Sequence, residues 1–299
     1  MEWTVGDVTI TSIVEQGLEF LNELIVTSSK EDIKKIGWLV PNYADADGHL
    51  KGLIQSFVVT TPTATLMVDT CVGNDKDRPI MDSWHKAQHA FMDRFRDAGF
   101  ETAKIDYVLC THMHMDHVGW NTFWDGKTWQ PTFPNARYLF ADTEMDHWKA
   151  EYHHFITETP DSKSRFKITQ KNTYEDSVKP IVEAGLADLV STTHQVCPEV
   201  LLYPTPGHTP GHVSILIQSR GSEAIISGDC VHHPCQIAHP EWHTGADTDK
   251  QQSTATREKL FADLNGTKTL LIGSHFCDPC AGHVERDATG YRFIHPPAS

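Results

Sequence analysis

The segment that most constrains this chain is CTHMHMDHVGW at residues 110–120, which places His112, His114, Asp116 and His117 within six positions. The apolar run before it, IDYVLC, has the length and composition of a short buried strand, so the four side chains arrive where a strand ends. Side chains in a strand alternate faces. Continued extension would put His112, His114 and Asp116 on one side and His117 on the other. One tetrahedral site built from all four is therefore awkward, whereas a loop past the strand end could turn Asp116 and His117 toward a second cation. Zinc takes about four N, O or S ligands, so two cations need more donors than this stretch holds.

Further donors recur downstream at the same kind of place. His208 in TPGHTPGH, Asp229 in ISGDC and His275 in IGSHF each follow or end an apolar run. A lone histidine means little in a chain with 19 of them; the H-x-H-x-D-H cluster is a far stronger signal.

The rest of the chain reads as strands with helices inserted in each half. Residues 4–16 predict a strand or hairpin, LIQSFVVTT and ATLMVDT a hairpin about Pro62, and ARYLFA a further strand. EVLLYPT, HVSILIQS, EAIISGD and TKTLLIGSH predict four more. The spacing of Trp84, Ala87, Phe91 and Phe95 predicts a helix across residues 83–100, stopped at Gly99. Asp142 is placed to cap a helix over TEMDHWKAE, and QSTATREKLFADL predicts another, ended near Gly266. Residues 20–50 read as an irregular excursion containing the short helix KEDIKK and the turn DADGHL, and the polar stretch 155–180 as a surface insertion. Asp69 in VDTCV and Asp229 in GDCV hint at two related halves. No linker divides the chain, so the expectation is one domain over residues 1–299.

Taken together, H-x-H-x-D-H, a Gly-His after a strand, a Gly-Asp and a late strand-end histidine resemble the metallo-β-lactamase superfamily of hydrolases over roughly residues 54–280. The resemblance implies an α/β fold, a four-layer αββα sandwich, with a metal pair at one edge. It implies one cation held by His112, His114 and His208, a second held by Asp116, His117 and His275, and Asp229 bridging them. His212 and Asp69 would then stand behind the ligands and orient them. Metal binding lowers the pKa of water from 15.7 to about 7, so the implied nucleophile is a hydroxide shared by two divalent ions, zinc foremost, with Mn, Fe or Co as other occupants. Asp116 could take its proton.

Several branches of that superfamily fit poorly. The redox branch uses Glu where this chain has His114. The formal net charge of −15, without any basic stripe, disfavours RNA and other nucleic acid. Secreted β-lactamases carry a signal peptide, and MEWTVGDVTI has neither a basic nor an apolar leader region. Too little chain follows His275 for the helical region of glyoxalase II. Lactonases, arylesterases and organophosphate hydrolases resembling methyl parathion hydrolase remain. In GDCVHH, His232 occupies the place where many acyl-homoserine lactonases have a tyrosine, and it could donate a hydrogen bond or proton to the leaving oxygen.

The expected activity is thus hydrolysis of a small neutral ester, lactone or phosphotriester. Hydrolytic dehalogenation of a chloroaromatic on the same site, or metal-dependent binding without turnover, are the alternatives. Trp38, Trp120, Phe123, Trp124 and Trp129 could wall an apolar cleft or equally serve core or dimer packing. The resemblance implies a homodimer through the residue 20–50 excursion. No apolar run reaches the ~20 residues of a membrane helix. Seven scattered cysteines fit thiols in a reducing compartment, hence a cytoplasmic location. Cys277 and Cys280 form a lone C-x-x-C that reads as incidental.

Overall fold

Two seven-stranded sheets organise the chain, and the computed structural model describes residues 1–157 and 164–295. Residues 158–163 of the expected 155–180 insertion therefore lie outside the described residues. Contacts group the chain into two units, Met1–Thr4 with Val8–Gln16 and Ile54–Thr192, and Val5–Asp7 with Gly17–Leu53 and Thr193–Ser299. The backbone passes from one to the other several times.

The first unit carries β1 (Glu2–Val5), β2 (Val8–Leu18), β3 (Gly52–Thr60), β4 (Thr65–Val68), β5 (Tyr107–Leu109), β6 (Thr122–Trp124), β7 (Trp129–Pro131), β8 (Arg137–Ala141) and β9 (Ala187–Val190). The sheet order is β1-β2-β3-β4-β5-β8-β9, with β6 and β7 forming a separate hairpin. β3 pairs antiparallel with β4, and β4, β5, β8 and β9 run parallel. Val68 pairs with Leu109 and Leu109 with Leu139. That register brings three chain exits to one edge: Asp69 after β4, the 110–120 segment after β5, and the helix Asp142–Thr157 after β8. Ligand sites of parallel sheets form outside such carboxyl ends. The near-continuous burial of β3, β4 and β8 is what strands covered on both faces require.

Two expectations need correction here. The helix predicted over 83–100 exists only as Phe91–Asp97. Lys86 adopts φ +49°, its N–H donates to the Lys76 carbonyl (2.7 Å), and the His89 N–H donates to Asn74 Oδ1 (2.7 Å). Loop bonds thus take the amides a helix would have used. Nor is 155–180 merely surface. After the helix Arg165–Thr173 comes a π-helical turn, Tyr174–Val178, in which Asp176, Ser177 and Val178 are buried. Arg78, wholly buried, donates two 2.8 Å bonds to the Asp176 carboxylate, and the buried Lys76 ammonium lies 3.7 Å from it. The Arg78 and Lys76 charges hold the Asp176 carboxyl below its ordinary value of 3.8 although burial opposes them.

The second unit carries β10 (Gln195–Cys197), β11 (Val200–Pro204), β12 (Val213–Ser219), β13 (Ser222–Ile226), β14 (Leu270–Ile272), β15 (Ala281–Asp287) and β16 (Gly290–Ile294), hydrogen-bonded in that order. All pairs whose register is defined are antiparallel except β13 with β14, where Ile226 pairs with Ile272. The β11–β12 connection, 205–212, opens at the end of this sheet where β13 and β14 finish, because Pro204 pairs with Val213 and Ile215 with Ile226. Residues beyond β13 and β14 therefore neighbour this loop. The helix Lys250–Leu264 packs on β15 and is capped by Asp249, whose Oδ1 accepts from the N–H groups of Gln251 and Gln252 (3.0 Å each). The 20–50 excursion holds the helices Leu21–Leu24 and Lys30–Lys35 and buries Leu21, Ile25, Ile33 and Leu39. Among the described residues no helix is long and apolar enough to cross a membrane, and no disulfide forms.

The Asp176 cluster gives a stability prediction. Asp176→Ala strands two buried cations, a change that costs about 3–5 kcal/mol when one partner of a buried pair is removed; urea unfolding measures it. The folded Asp176 pKa lies below the unfolded one, so the unfolded chain binds the extra proton. The stabilisation is complete above pH 3.8 and is lost as pH falls further. A wild-type stability flat across that range, or a loss under about 1 kcal/mol in the variant, contradicts this account.

Candidate metal centre

β5 stops at Leu109, and residues 110–118 run as turns instead of extending it. The alternation of a continuing strand is therefore broken early. The His117 N–H donates to the His114 carbonyl (3.1 Å), folding the motif back on itself. The ring centroid of His112 lies 4.7 Å from that of His114 and 4.1 Å from that of His117. His112 Nε2 and His114 Nδ1 are 3.0 Å apart, and His117 Nε2 is 3.8 Å from an Asp116 carboxylate oxygen. All three histidines are buried.

These side chains are held from behind. Asp69 accepts from the Thr111 N–H (2.8 Å) and meets His117 Nδ1 at 2.9 Å. Thr111 Oγ1 lies 3.1 Å from His112 Nδ1. The buried Glu144 accepts from the Met113 N–H (3.0 Å) and from the Trp148 indole (2.6 Å), fixing the backbone between two imidazoles. Trp148 and Phe166 stand edge-on to the His114 ring at 5.4 and 6.2 Å.

In the second unit three imidazoles surround Asp229, which follows β13 in the turn Gly228–Cys230. His275 Nε2 lies 3.0 Å from Asp229 Oδ1, and His232 Nε2 and His208 Nε2 lie 3.2 and 3.4 Å from Oδ2. His275 Nδ1 donates to the Leu53 carbonyl (2.8 Å). His208 Nδ1 meets Asp247 Oδ1 at 2.8 Å, and the other Asp247 oxygen accepts from the Thr244 N–H and Ser253 Oγ. Burial opposes ionisation of Asp247, but the His208 bond and the nearby Arg257 guanidinium hold its carboxyl well below the usual range. Gly207 permits this loop: at φ +131° a Cβ there would lie 2.3 Å from the Ser253 nitrogen. His212 has a different task from His208. Its Nε2 accepts from the Asp229 N–H (2.9 Å), while Nδ1 faces Thr205. Burial holds His232 below the ordinary imidazole range, and its Nδ1 has no hydrogen-bond partner among the described residues.

The donor chemistry tests whether a cation belongs among these groups. A carbonyl oxygen only accepts, so His275 Nδ1 carries the proton. In the neutral ring Nε2 then presents a lone pair 3.0 Å from a carboxylate oxygen. The His208 ring, backed by Asp247, repeats the arrangement, and so does His117, with Asp69 behind and Asp116 ahead. Facing acceptors repel unless positive charge lies between them. Neutral imidazole nitrogens with the far nitrogen pinned by a protein acceptor, plus carboxylates, form a donor set that fits a divalent metal ion.

The expected pocket aromatics fall in different places. Trp120 is buried, stacks on Phe91 at 5.8 Å and donates its indole N–H to Glu15 (2.7 Å), so its surface is used inside the first unit. Phe123 and Trp124, on the β6–β7 hairpin, are 41% and 43% exposed, and Trp129 packs on Trp124 with the Lys76 ammonium over its ring. Trp38 is half-buried in the turn Gly37–Leu39. Sequence reasoning missed Asp247, Glu144 and Glu15. Asp247 sits in the polar run TGADTDK and Glu144 in a helix start, where an acid has ordinary solvent and capping uses.

A metal-suited His/Asp set at the carboxyl ends of sheet strands defines a class of metallohydrolase-like proteins, and the comparisons narrow it. The metallo-beta-lactamase superfamily pattern matches residues 51–273, and the chain belongs to that superfamily. It is 26% identical over 129 residues to an N-acyl homoserine lactonase of Bacillus sp, covering 43% of this chain and 39% of the relative. It is 25% identical over 148 residues to the N-acyl homoserine lactonase AttM of Rhizobium radiobacter, covering 50% and 48%. The chain thus spans under half the length of these relatives. Among solved structures, the hydrolase AbOPH of the beta lactamase superfamily superposes with TM-score 0.81 at 21% identity, over 100% of this chain and 97% of that one. AidC, a dizinc quorum-quenching lactonase in complex with the product N-hexnoyl-L-homoserine, gives 0.79 at 21%, over 100% and 98%. At these identities the likeness is one of fold: the chain has the metallo-beta-lactamase fold, an α/β sandwich.

Asp247→Asn exchanges a carboxylate behind His208 for an amide that must be oriented to accept. Losing such an outer partner weakens metal binding roughly 10–100-fold. Zinc competition against a chromophoric chelator should show that loss in a variant with unchanged circular dichroism; a shift under about twofold would remove Asp247 from this role.

Proposed function

We propose that this chain is a metal-dependent hydrolase acting on a small neutral lactone or ester, with a phosphotriester as the neighbouring substrate class. In this reading His112, His114, Asp116, His117, His208, Asp229 and His275 ligate two divalent cations, zinc foremost. The observation that carries it is the set of imidazole lone pairs facing carboxylates, each imidazole fixed from behind. Bound cations there supply acidity to water, lowering its pKa from 15.7 to about 7, and positive charge for an oxygen that gains electrons. The lactone preference is supported by the N-acyl homoserine lactonases among the relatives, and the choice of a neutral substrate by a net charge of −15, which disfavours anions.

The chain's own residues divide the remaining work. Asp116, less buried than its neighbours, accepts the proton of the attacking water. Its carboxylate is acceptor-only when ionised, the state a base needs. His232 offers Nε2 beside Asp229 as a hydrogen-bond donor to the departing oxygen. His212 fixes the Asp229 backbone and Asp69 the His117 ring, so neither ligand turns during the reaction. Phe166 is 37% exposed although it stands against the His114 ring, and with Trp148 it provides an apolar wall for the acyl part of the substrate.

A panel of lactones, aryl esters, phosphotriesters and chloroaromatics on zinc-loaded protein tests the reading. Lactones are expected to turn over fastest. His114→Ala should lower that rate more than about 100-fold, beyond the roughly 10–100-fold that outer partners cost. Full activity in His114→Ala protein holding less than about one metal equivalent would sink the proposal, since a catalytic zinc keeps its protein ligands. Halide release from chloroaromatics alone, or tight binding without turnover, would replace it with dehalogenation or sensing. Phe166→Ala should raise KM for long-chain lactones about tenfold with kcat nearly unchanged, because a wall binds ground and transition states alike.

A further inference from the structure

Glu15 on β2 is 2% exposed and far in sequence from every proposed ligand. Its carboxylate accepts three N–H bonds from two loops. Oε2 takes the Val72 N–H (2.9 Å), and Oε1 takes the Gly73 N–H (3.1 Å) and the Trp120 indole N–H (2.7 Å). One loop follows Asp69 and the other follows His117. The same loops are stitched by backbone bonds: Thr70 N–H to the His117 carbonyl (2.7 Å), Gly119 N–H to the Cys71 carbonyl (2.8 Å) and Trp120 N–H to the Thr70 carbonyl (2.7 Å). They touch so closely that a Cβ on Gly119 would lie 1.8 Å from the Val72 oxygen. Asp69 and Cys71 adopt φ +54° and +51°, a left-handed region that side chains disfavour. Such a turn persists only where its surroundings over-determine it. Two Glu15-bound amides lie immediately after Cys71.

We propose that Glu15 is a positioning residue that clamps the Asp69–Gly73 turn to the His117–Trp120 turn, and through Asp69 sets the orientation of the His117 imidazole. All three donors point at a carboxylate that has no competing solvent, so the contact is directional and dry. Burial leaves the Glu15 carboxyl raised to about 7 even though the bonds from Val72, Trp120 and Gly73 oppose the rise. The inference rests on reading His117 as a metal ligand, but the hydrogen bond it invokes, His117 Nδ1 to Asp69, exists without metal and can be followed separately.

The test compares wild type with Glu15→Gln and Trp120→Phe. Glu15→Gln keeps shape but turns an amide N–H₂ toward N–H donors. Trp120→Phe removes one donor and keeps an aromatic ring against Phe91. Proton NMR of metal-free, imidazole-¹⁵N-labelled protein reads the downfield His117 Nδ1–H, and chelator competition reads zinc affinity. Both variants should weaken or broaden that proton signal and lower affinity for the more weakly held zinc at least tenfold, Glu15→Gln the more. A metal-free melting temperature close to wild type would show that the fold survives. If Glu15→Gln does not fold, Trp120→Phe decides alone. An unchanged His117 signal together with unchanged zinc affinity overturns the clamp. Wild-type protein that shows the proton signal but binds no zinc would overturn the metal reading while leaving the orienting bond intact.

Discussion

An imidazole whose proton is pinned on one nitrogen can offer only a lone pair on the other, and much of this chain serves to pin those protons. His275 is fixed by a backbone carbonyl, His208 by Asp247 and His117 by Asp69. In each case the opposite nitrogen faces a carboxylate oxygen. That repulsive arrangement is tolerable in a buried setting only if positive charge enters it. The sheets make it possible: within each unit, parallel pairing brings that unit's own strand exits to one end, so residues distant in sequence meet without any long lever arm.

Beneath the pinned imidazoles lies a second tier of buried charge. Asp247 is itself held by Ser253 and by the helix that carries it, with the Arg257 guanidinium 3.7 Å away. Asp176 neutralises Arg78 and Lys76 inside a π-helical turn. Glu15 and Glu144 hold backbone amides beside the histidine-rich segment. Isolated, any of these charges would be costly to bury. Each is instead saturated with donors or opposite charge, which makes the surrounding loops stiff where flexibility would misplace a ligand.

How legible this was depends on the kind of signal. The histidine cluster and its companions stood out because residue type and spacing carry chemistry that chance rarely assembles, and the apolar runs before them marked strands that the structure contains. The 83–100 helix was overextended because apolar spacing says nothing of Lys86, whose φ of +49° and tie to Lys76 come from a loop elsewhere. Glu15 was hidden by a phase change. Ser12 and Ile13 are both buried, so alternation counted from Val8 assigns position 15 to the wrong face of β2. The polar stretch near 176 looked solvated because its partners, Arg78 and Lys76, are about a hundred residues away.

The sequence by itself determined the superfamily, the main apolar strands and the strand-end positions where histidine and aspartate side chains stand, since these depend on local pattern and on side-chain type. Only the tertiary structure decided which nitrogen of His117, His208 and His275 is committed, which acids stand behind His117 and His208, and that Trp120 packs inward and not along a cleft. Those outcomes hinge on hydrogen bonds between residues tens to hundreds apart in sequence, as with Leu53 and His275, and on turns whose left-handed backbone no periodicity announces. A pattern can name a donor; only packing fixes what the donor faces.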